Sequence, residues 1–554
     1  MKPIVRSGLL WIVILHGSVF SQNPTPSVNL PLNHFAHDFL ERMEVTGILP
    51  PSIELRNKPF SRNDVLKCIL LLEERIHANP GLFSSTDLSL FRKLKGEFHL
   101  ELKNAKVLFP EEEKEKHLFS WGTSDQSSYV VGDAVIEQAF QLDRLNHSSD
   151  SSGENVSFSR AAGRVRGIVK NGIAFYSDFS STLIKGSDRS YRFGENSQGG
   201  VINYNAVSSN VYSLNSNAYI VIEPRWFRLQ FGKDPISLGP GKHSNLFLSD
   251  NAPAFDNLRL DVTYDRIKFT YLHGWLRSDP YRYSAAPDTS VQKFIVVHRL
   301  EFKVLPWLFI AGNESVIYGG RDVEIAYLNP IIPYHVTEQY LGDRDNNTIS
   351  FDFTAFPWKN WKFFGAVYLD DFTNTQNPFT YWKQTWAVLG GFFWTNPGGL
   401  ANTDFRAEYS RVEPYVYAHK FDLINYSHFG TGLGSFMQPN SDDYFFEIRY
   451  RPIRRIDVAL NYELTRHGRG DIYTFGYEDG FVDEGPGVTG KTKKTFLMGT
   501  QETKNKIGVD IQWEPINNHS AYLSGSLTDV TNLNNELGRD IKLLRILIGY
   551  RLDY

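Results

Sequence analysis

Cysteine is nearly absent: the single Cys68 cannot close an internal disulfide, and it lies in an apolar helical stretch where it reads as a small core residue. Long hydrophobic runs are also missing. Beyond the N-terminal run, none approaches the roughly 20 residues that a membrane helix needs. Nor is there an excess of either charge. A net charge of −4 over 554 residues attracts neither nucleic acid nor an anionic surface. Catalytic signatures are lacking as well: no Gly-x-Ser-x-Gly elbow, no His-Glu-x-x-His and no Cys/His metal spacing occurs. His34 and His37 stand three apart without a third ligand and read as helix surface residues. Asp370 and Asp371 are adjacent, so in a strand only one can face inward, a poor carboxylate pair. The reading is of a non-enzyme without cofactor or metal.

Aromatics, by contrast, are plentiful. They make up 14% of the chain, with 40 Phe and 28 Tyr, which suits girdles at two membrane interfaces. Lys2 and Arg6 precede the apolar run Gly8 to Leu15, and Val19-Phe20-Ser21 follows, the pattern of a secretory signal peptide over residues 1–21. With no membrane helix available, an exported chain enters a membrane only as a barrel. The last twelve residues fit that. Leu544, Ile546, Ile548, Tyr550, Leu552 and Tyr554 form an apolar row at spacing two, with Arg545, Arg551 and Asp553 opposite. A row ending on an aromatic is also the signal by which barrel assembly machinery recognises its clients, so that machinery and outer-membrane lipid are expected partners.

Residues 22–118 read as a small helical domain and linker. Phe35, Phe39, Leu40 and Met43 recur at helical spacing up to a C-cap near Gly47. Ser61 to Asp64 resembles a capping box before Leu66, Ile69, Leu70 and Ile76, and a third helix opens near Ser85 and runs through Phe91, Phe98 and Leu102. Each has one apolar stripe and must pack on something. The run Glu111 to Lys116 reads as a solvated linker.

From residue 119 to 554 the period is two. Rows such as Phe294-Val296-His298-Leu300-Phe302 and Ile507-Val509-Ile511-Trp513 have polar residues between their members and run nine residues or more. Tight turns near Asn171-Gly172, Pro224, Asp265, Pro306, Pro357, Pro397, Pro452 and Pro515 alternate with long connections at about 145–156, 186–216, 234–257, 277–292, 317–346, 370–381, 412–441, 467–503 and 528–540. That predicts an all-β transmembrane barrel of about 18 antiparallel strands. By the usual asymmetry its short turns, termini and helical domain are periplasmic and its long loops lie at the cell surface. Two of those loops, LGPGKHSNLFLSDNAPAF and the segment from Glu314 to His335, are too apolar to stay in water, and both are expected to cap or plug the barrel mouth.

These loops also carry a resemblance. LGPGKHSNLFLSDNAPAF, NESVIYGGR followed by YLNPIIPY, Asp370-Asp371, and EYSRVEPYVY followed by GTGLGS resemble the blocks of the Wzi-type capsule-assembly family, and HDFLERMEVTGILP resembles its helical segment. The resemblance implies an eighteen-stranded outer-membrane barrel with a helical bundle at its periplasmic end, one that attaches capsular or exported polysaccharide without catalysis. Candidate glycan contacts are outer-loop aromatic and polar residues: Lys242, His243, Asn245, Tyr318, Arg321, Tyr334, Tyr415 and Tyr417. The inward charges, Arg259, Asp261, Arg299, Glu301, Arg406 and Arg449 among them, have mixed signs, as a lumen-filling salt-bridge network requires. The competing reading is a porin or substrate channel.

Overall fold

A computed structural model describes residues 25–105, 107, 114–125, 127–147, 150–186, 202–204, 210–279, 291–372, 375–475 and 493–554. The expected signal peptide, Glu111 to Glu113 of the acidic run, and parts of the connections 186–216, 277–292 and 467–503 lie outside the described residues.

Twenty strands share one antiparallel sheet, of which Phe119–Gly122 and Ile202–Tyr204 are short pieces laid along their neighbours. The other eighteen close into a barrel. The seam joins Tyr129–His147 to Ile541–Asp553, in register from Val135 opposite Asp553 to His147 opposite Ile541. Closure removes every sheet edge, as a strand wall in lipid requires. Eight tight turns stand at one end, at the residues expected; Lys170, Asn171, Asp265, Asn360, Asn396 and Asn518 adopt the left-handed conformation there.

One expected connection is absent. Residues 145–147 and 150–156 form no long loop, because they belong to the strands Tyr129–His147 and Asp150–Val169, which pair His147 with Asp150; residues 148 and 149 lie outside the described residues. The serine-rich stretch has weak strand propensity of its own, and its neighbours supply the ladder. The connection stays on the same side, so the strand count is unaffected.

The parity read from the sequence holds along the C-terminal strand. Ile548 is 56% exposed and faces outward with Tyr550, whereas Arg545 turns inward to Asp143 at 2.9 Å. Phe140, Phe302, Ile310, Phe351, Ile448 and Leu460 continue the outward apolar belt. Exposed Trp226, Tyr264, Trp307, Trp358 and Trp513 ring the short-turn end, where amphipathic rings sit between hydrocarbon and water.

Among the described residues four α-helices stand before the barrel: α1 (Phe35–Val45), α2 (Arg62–Ala78), α3 (Ser85–Glu97) and α4 (His99–Asn104). Ser84 and Asp87 form the capping box of α3, and the third expected helix breaks in two at Phe98. Leu40, Met43, Val65, Ile69, Leu72, Leu94, Phe98 and Leu102 make a common core, with buried Cys68 in it. This unit does not hang below the barrel. It fills the lumen at the short-turn end, where Glu41 accepts from Lys362 at 2.6 Å and from Arg406 at 2.8 Å, and Arg42 pairs with Asp404. Arg56 lies over the inward-facing Phe309.

Candidate functional site

The lumen is also entered from the long-loop end. In the connection 234–255, Leu238, Leu246, Phe247 and Leu248 pack with Leu272, Ile295, Ile317, Phe364, Tyr368 and Leu389 of the inner wall. An inward carboxylate holds this loop in place: Glu408 accepts from the backbone nitrogens of Lys242 at 3.0 Å, His243 at 3.1 Å and Ser244 at 3.3 Å. The connection 413–440 lies over it. The Tyr417 hydroxyl donates to the Leu246 carbonyl at 2.7 Å, the Tyr426 hydroxyl donates to that of Phe247 at 2.8 Å, and Asp370 accepts from the Tyr417 backbone nitrogen at 2.7 Å. The GTGLGS motif is part of this closure. A Cβ on Gly434 would stand 2.4 Å from the Leu246 oxygen and 2.5 Å from the Tyr417 hydroxyl, so only glycine fits.

The two fillings meet. Lys242 lies 2.6 Å from Asp38 of α1, and the backbones of Lys58 and Ser237 exchange hydrogen bonds of 3.1 and 3.0 Å. Burial opposes the charge of Asp38, but Lys242 and Arg449 outweigh it and hold this carboxyl well below its ordinary range. Beside this column a polar cavity of about 830 Å³ remains, walled by Arg160, Arg164, Tyr176, Arg449, Arg451 and Tyr522 against Asp178, Glu514 and Asp553. Its charges are cross-paired, Arg164 with Asp553 and Arg451 with Asp404 and Asp457, so it presents no single sign to an ion.

The eight candidate residues do not form one site. Lys242, His243 and Asn245 are inside the lumen, with the Asn245 side chain spent on Gly241 and Ser237 at 2.9 Å each. Tyr417 is buried in the mouth, and Tyr415 is buried against Trp382. Both tyrosines have left-handed backbones, which only a tightly packed setting sustains. Tyr318, Arg321 and Tyr334 lie on the opposite side of the wall. Tyr318 continues the outward row of Ile310 and Val316, so the connection 320–345 folds down the barrel's exterior and does not cap the mouth as its apolar character had suggested. Composition says that a loop packs, and only strand parity says on which face.

His34 caps α1 and pairs with Glu97 at 2.8 Å, while His37 is buried and bonds the Pro31 carbonyl at 3.1 Å. His243, Asp443 and Glu463 approach one another within 4.8 Å, but Thr465 already donates to both carboxylates and Lys506 lies 3.4 Å from Glu463.

Sequence reasoning passed over a third group at the long-loop end. Trp382 packs edge-on against Phe475 at 5.8 Å, Phe475 adjoins His419 at 6.1 Å, and His419 adjoins Phe421 at 5.7 Å. Lys383 stands over the Trp382 ring at 5.2 Å, and Lys420 over Phe421 at 5.2 Å. Phe421, Lys420 and Lys383 are exposed. The signal was present as WK and HKF within loops, aromatic and basic residues in alternation.

A family model described as "Capsule assembly protein Wzi" matches residues 146–542. The chain belongs to that family. Among solved structures, it is similar to Wzi of Escherichia coli, described as an outer membrane protein involved in group 1 capsule assembly and a carbohydrate-binding β-barrel. The TM-score is 0.57 and the identity 12%, over 95% of this chain and 98% of that one. At that identity the likeness shows a shared fold. OccK5 (OpdH) of Pseudomonas aeruginosa, with TM-score 0.40, 12% identity and coverage of 76% and 98%, also resembles it. So does OccAB2 of Acinetobacter baumannii, with TM-score 0.42, 9% identity and coverage of 76% and 98%. No curated protein matches the chain at a significant level. As a family member with a lipid-facing wall, this is an outer-membrane barrel.

Proposed function

We propose that this barrel binds capsular or exported polysaccharide at the outer-membrane surface, helps to attach or assemble it there, and does so without catalysis. The observation that carries this reading is the contact between the two fillings of the lumen at Asp38–Lys242 and Lys58–Ser237, which supports a wall that serves as a platform over one that serves as a conduit. Membership of the capsule-assembly family supplies the polymer.

In this reading the short turns, the helical unit and both termini are periplasmic, and the apolar row from Leu544 to Tyr554 is the segment that the barrel assembly machinery engages. The long loops face outward. Phe421, with Lys420, Lys383 and His419, offers an apolar ring face and cations to a sugar polymer that carries uronic acids or other anionic groups. The buried candidates Asn245, Tyr415 and Tyr417 fix the loops beneath it. Single contacts of this kind are weak, and many copies holding one polymer raise the effective affinity by multivalency.

Planar-bilayer recording separates this reading from a porin. The full-length protein should insert without steady conductance, and open-channel steps would favour the channel. Maleimide labelling on intact cells sets the orientation: cysteines replacing Asp279 or Asn534 should react, and those replacing Asn171 or Asn517 should not.

A further inference from the structure

The connection 320–345 lies on the side of the wall that faces lipid. Along Gln292–Leu305, Arg299 and Glu301 point to the lumen, so Phe294, Val296 and His298 point outward; along Leu308–Gly319 the same parity turns Glu314, Val316 and Tyr318 outward. The connection covers these residues. Tyr327 and Tyr334 pack with Phe294, Val296, Val316 and Tyr318 in one buried cluster, and the Tyr334 ring stacks on that of His298 at 3.9 Å and 18°.

What it covers is polar. His273 bonds the Tyr318 hydroxyl at 2.9 Å, the Tyr271 hydroxyl donates to the Tyr327 carbonyl at 3.2 Å, and Glu314 accepts from the His335 backbone at 2.8 Å. Polar groups on a lipid-facing wall are costly unless they are bonded and shielded, and here the connection shields them and bonds Tyr271 and Glu314. Its own pair, Arg321 with Asp345, is bidentate at 2.8 and 2.7 Å, and Asp345 also accepts from Tyr327 at 2.8 Å.

While Tyr327, Tyr334 and Asp345 turn toward the wall, the connection presents large apolar side chains to the outside, and its exposed charges, Asp322, Asp343 and Arg344, stand near its two ends. Ile331 is 85% exposed, Tyr340 86% and Ile325 80%, with Val336 and Leu328 beside them. These continue upward from the belt residues Leu300, Phe302 and Ile310 on the same strands. Asn329, His335 and Gln339, exposed between them, suit headgroup depth and not the middle of the hydrocarbon. We propose that the connection 320–345 is a lipid-seated strap, with Ile325, Ile331 and Tyr340 embedded at the boundary of acyl chains and headgroups in the leaflet at the long-loop end. It would anchor the barrel at a fixed depth and rotation beneath the polymer, and it rests on the parity of the wall whatever the barrel binds.

Nitroxide accessibility tests it. Cys68 is buried, so cysteines introduced singly as Ile331→Cys and Tyr340→Cys in the full-length protein are labelled selectively, and both positions are exposed enough to tolerate a label. Phe351→Cys on the bare wall and Leu537→Cys in a hairpin loop serve as lipid and water references. In phosphatidylcholine–phosphatidylglycerol vesicles, positions 331 and 340 should follow 351, relaxed more by oxygen than by a water-soluble nickel chelate. Accessibility like that of 537, with the chelate dominant, overturns the proposal, because the strap would then lie in water. Low accessibility to both reagents also overturns it, because a protein surface, such as a second copy, would then occupy the patch.

Discussion

The Lys242 ammonium lies 2.6 Å from each carboxylate oxygen of Asp38. Lys242 belongs to a loop entering from one end of the barrel and Asp38 to a helix filling the other, so one ion pair joins the two closures. Both side chains keep 28% exposure, so the pair contributes on the order of 1 kcal/mol or less. Lys242→Ala should therefore leave both fillings in place and move the denaturant midpoint only slightly in detergent. A large loss of stability would show that the contact carries more than its exposure allows.

Glu41 is the opposite case. It bonds Lys362 and Arg406, whose side chains are buried, and Glu41→Ala leaves Lys362 without its carboxylate and Arg406 with only the longer contact to Glu408 at 3.7 Å. The expected loss is about 3 to 5 kcal/mol, as when half of a buried ion pair is removed. Urea titration of the reconstituted protein would check it, and Glu41→Gln should recover part of the loss through retained hydrogen bonding.

Acid should release the helical unit late. Burial raises the Glu101 carboxyl, but Arg62 and then Arg166 outweigh it and bring it down to about 2; Asp38 is likewise held below its ordinary range by Lys242 and Arg449. A depressed carboxyl stabilises the fold above its unfolded value, about 4, and that stability is lost as pH falls through the folded value. Protection of residues 35–45 from hydrogen exchange should thus be unchanged from pH 7 to about 4 and fall off toward pH 2. Loss of protection already near pH 6 would contradict the assignment.

The wall's parity has its own test. Ile548 faces lipid and Leu547 the lumen, opposite Gln141 and Ser524. Ile548→Arg should cost roughly 2 to 4 kcal/mol, the penalty for a cation near the hydrocarbon midplane, and Leu547→Arg distinctly less. Folding titrations into lipid vesicles would rank them, and the reverse order would place the row ending at Tyr554 inside.

Much of this architecture was legible from spacing alone. Period two over nine or more residues marks a strand with lipid on one face, and the turns at Asn171, Asp265, Asn360 and Asn518 are chemically explicit because asparagine and aspartate tolerate the left-handed backbone. The pairing of His147 with Asp150 was not legible, because a serine-rich segment owes its pairing to neighbours and not to propensity. The site was harder to read. Apolar residues in Leu246–Leu248 and in Tyr327–Tyr334 announce packing equally well, yet the first segment fills the lumen and the second lies outside it. The Phe421 crest is assembled from three connections far apart in sequence, so WK and HKF mark aromatic and basic residues in each loop but not that the loops meet.

Capsule retention on cells tests the central claim most directly. Deleting the gene from an encapsulated strain should leave polymer synthesis intact but shift polymer from the cell-associated fraction to the medium. The wild-type protein should restore retention, while a Phe421→Ala, Lys420→Ala, Lys383→Ala variant that still folds and reaches the outer membrane should not. Cell-associated polymer unchanged by the deletion would contradict the proposed function.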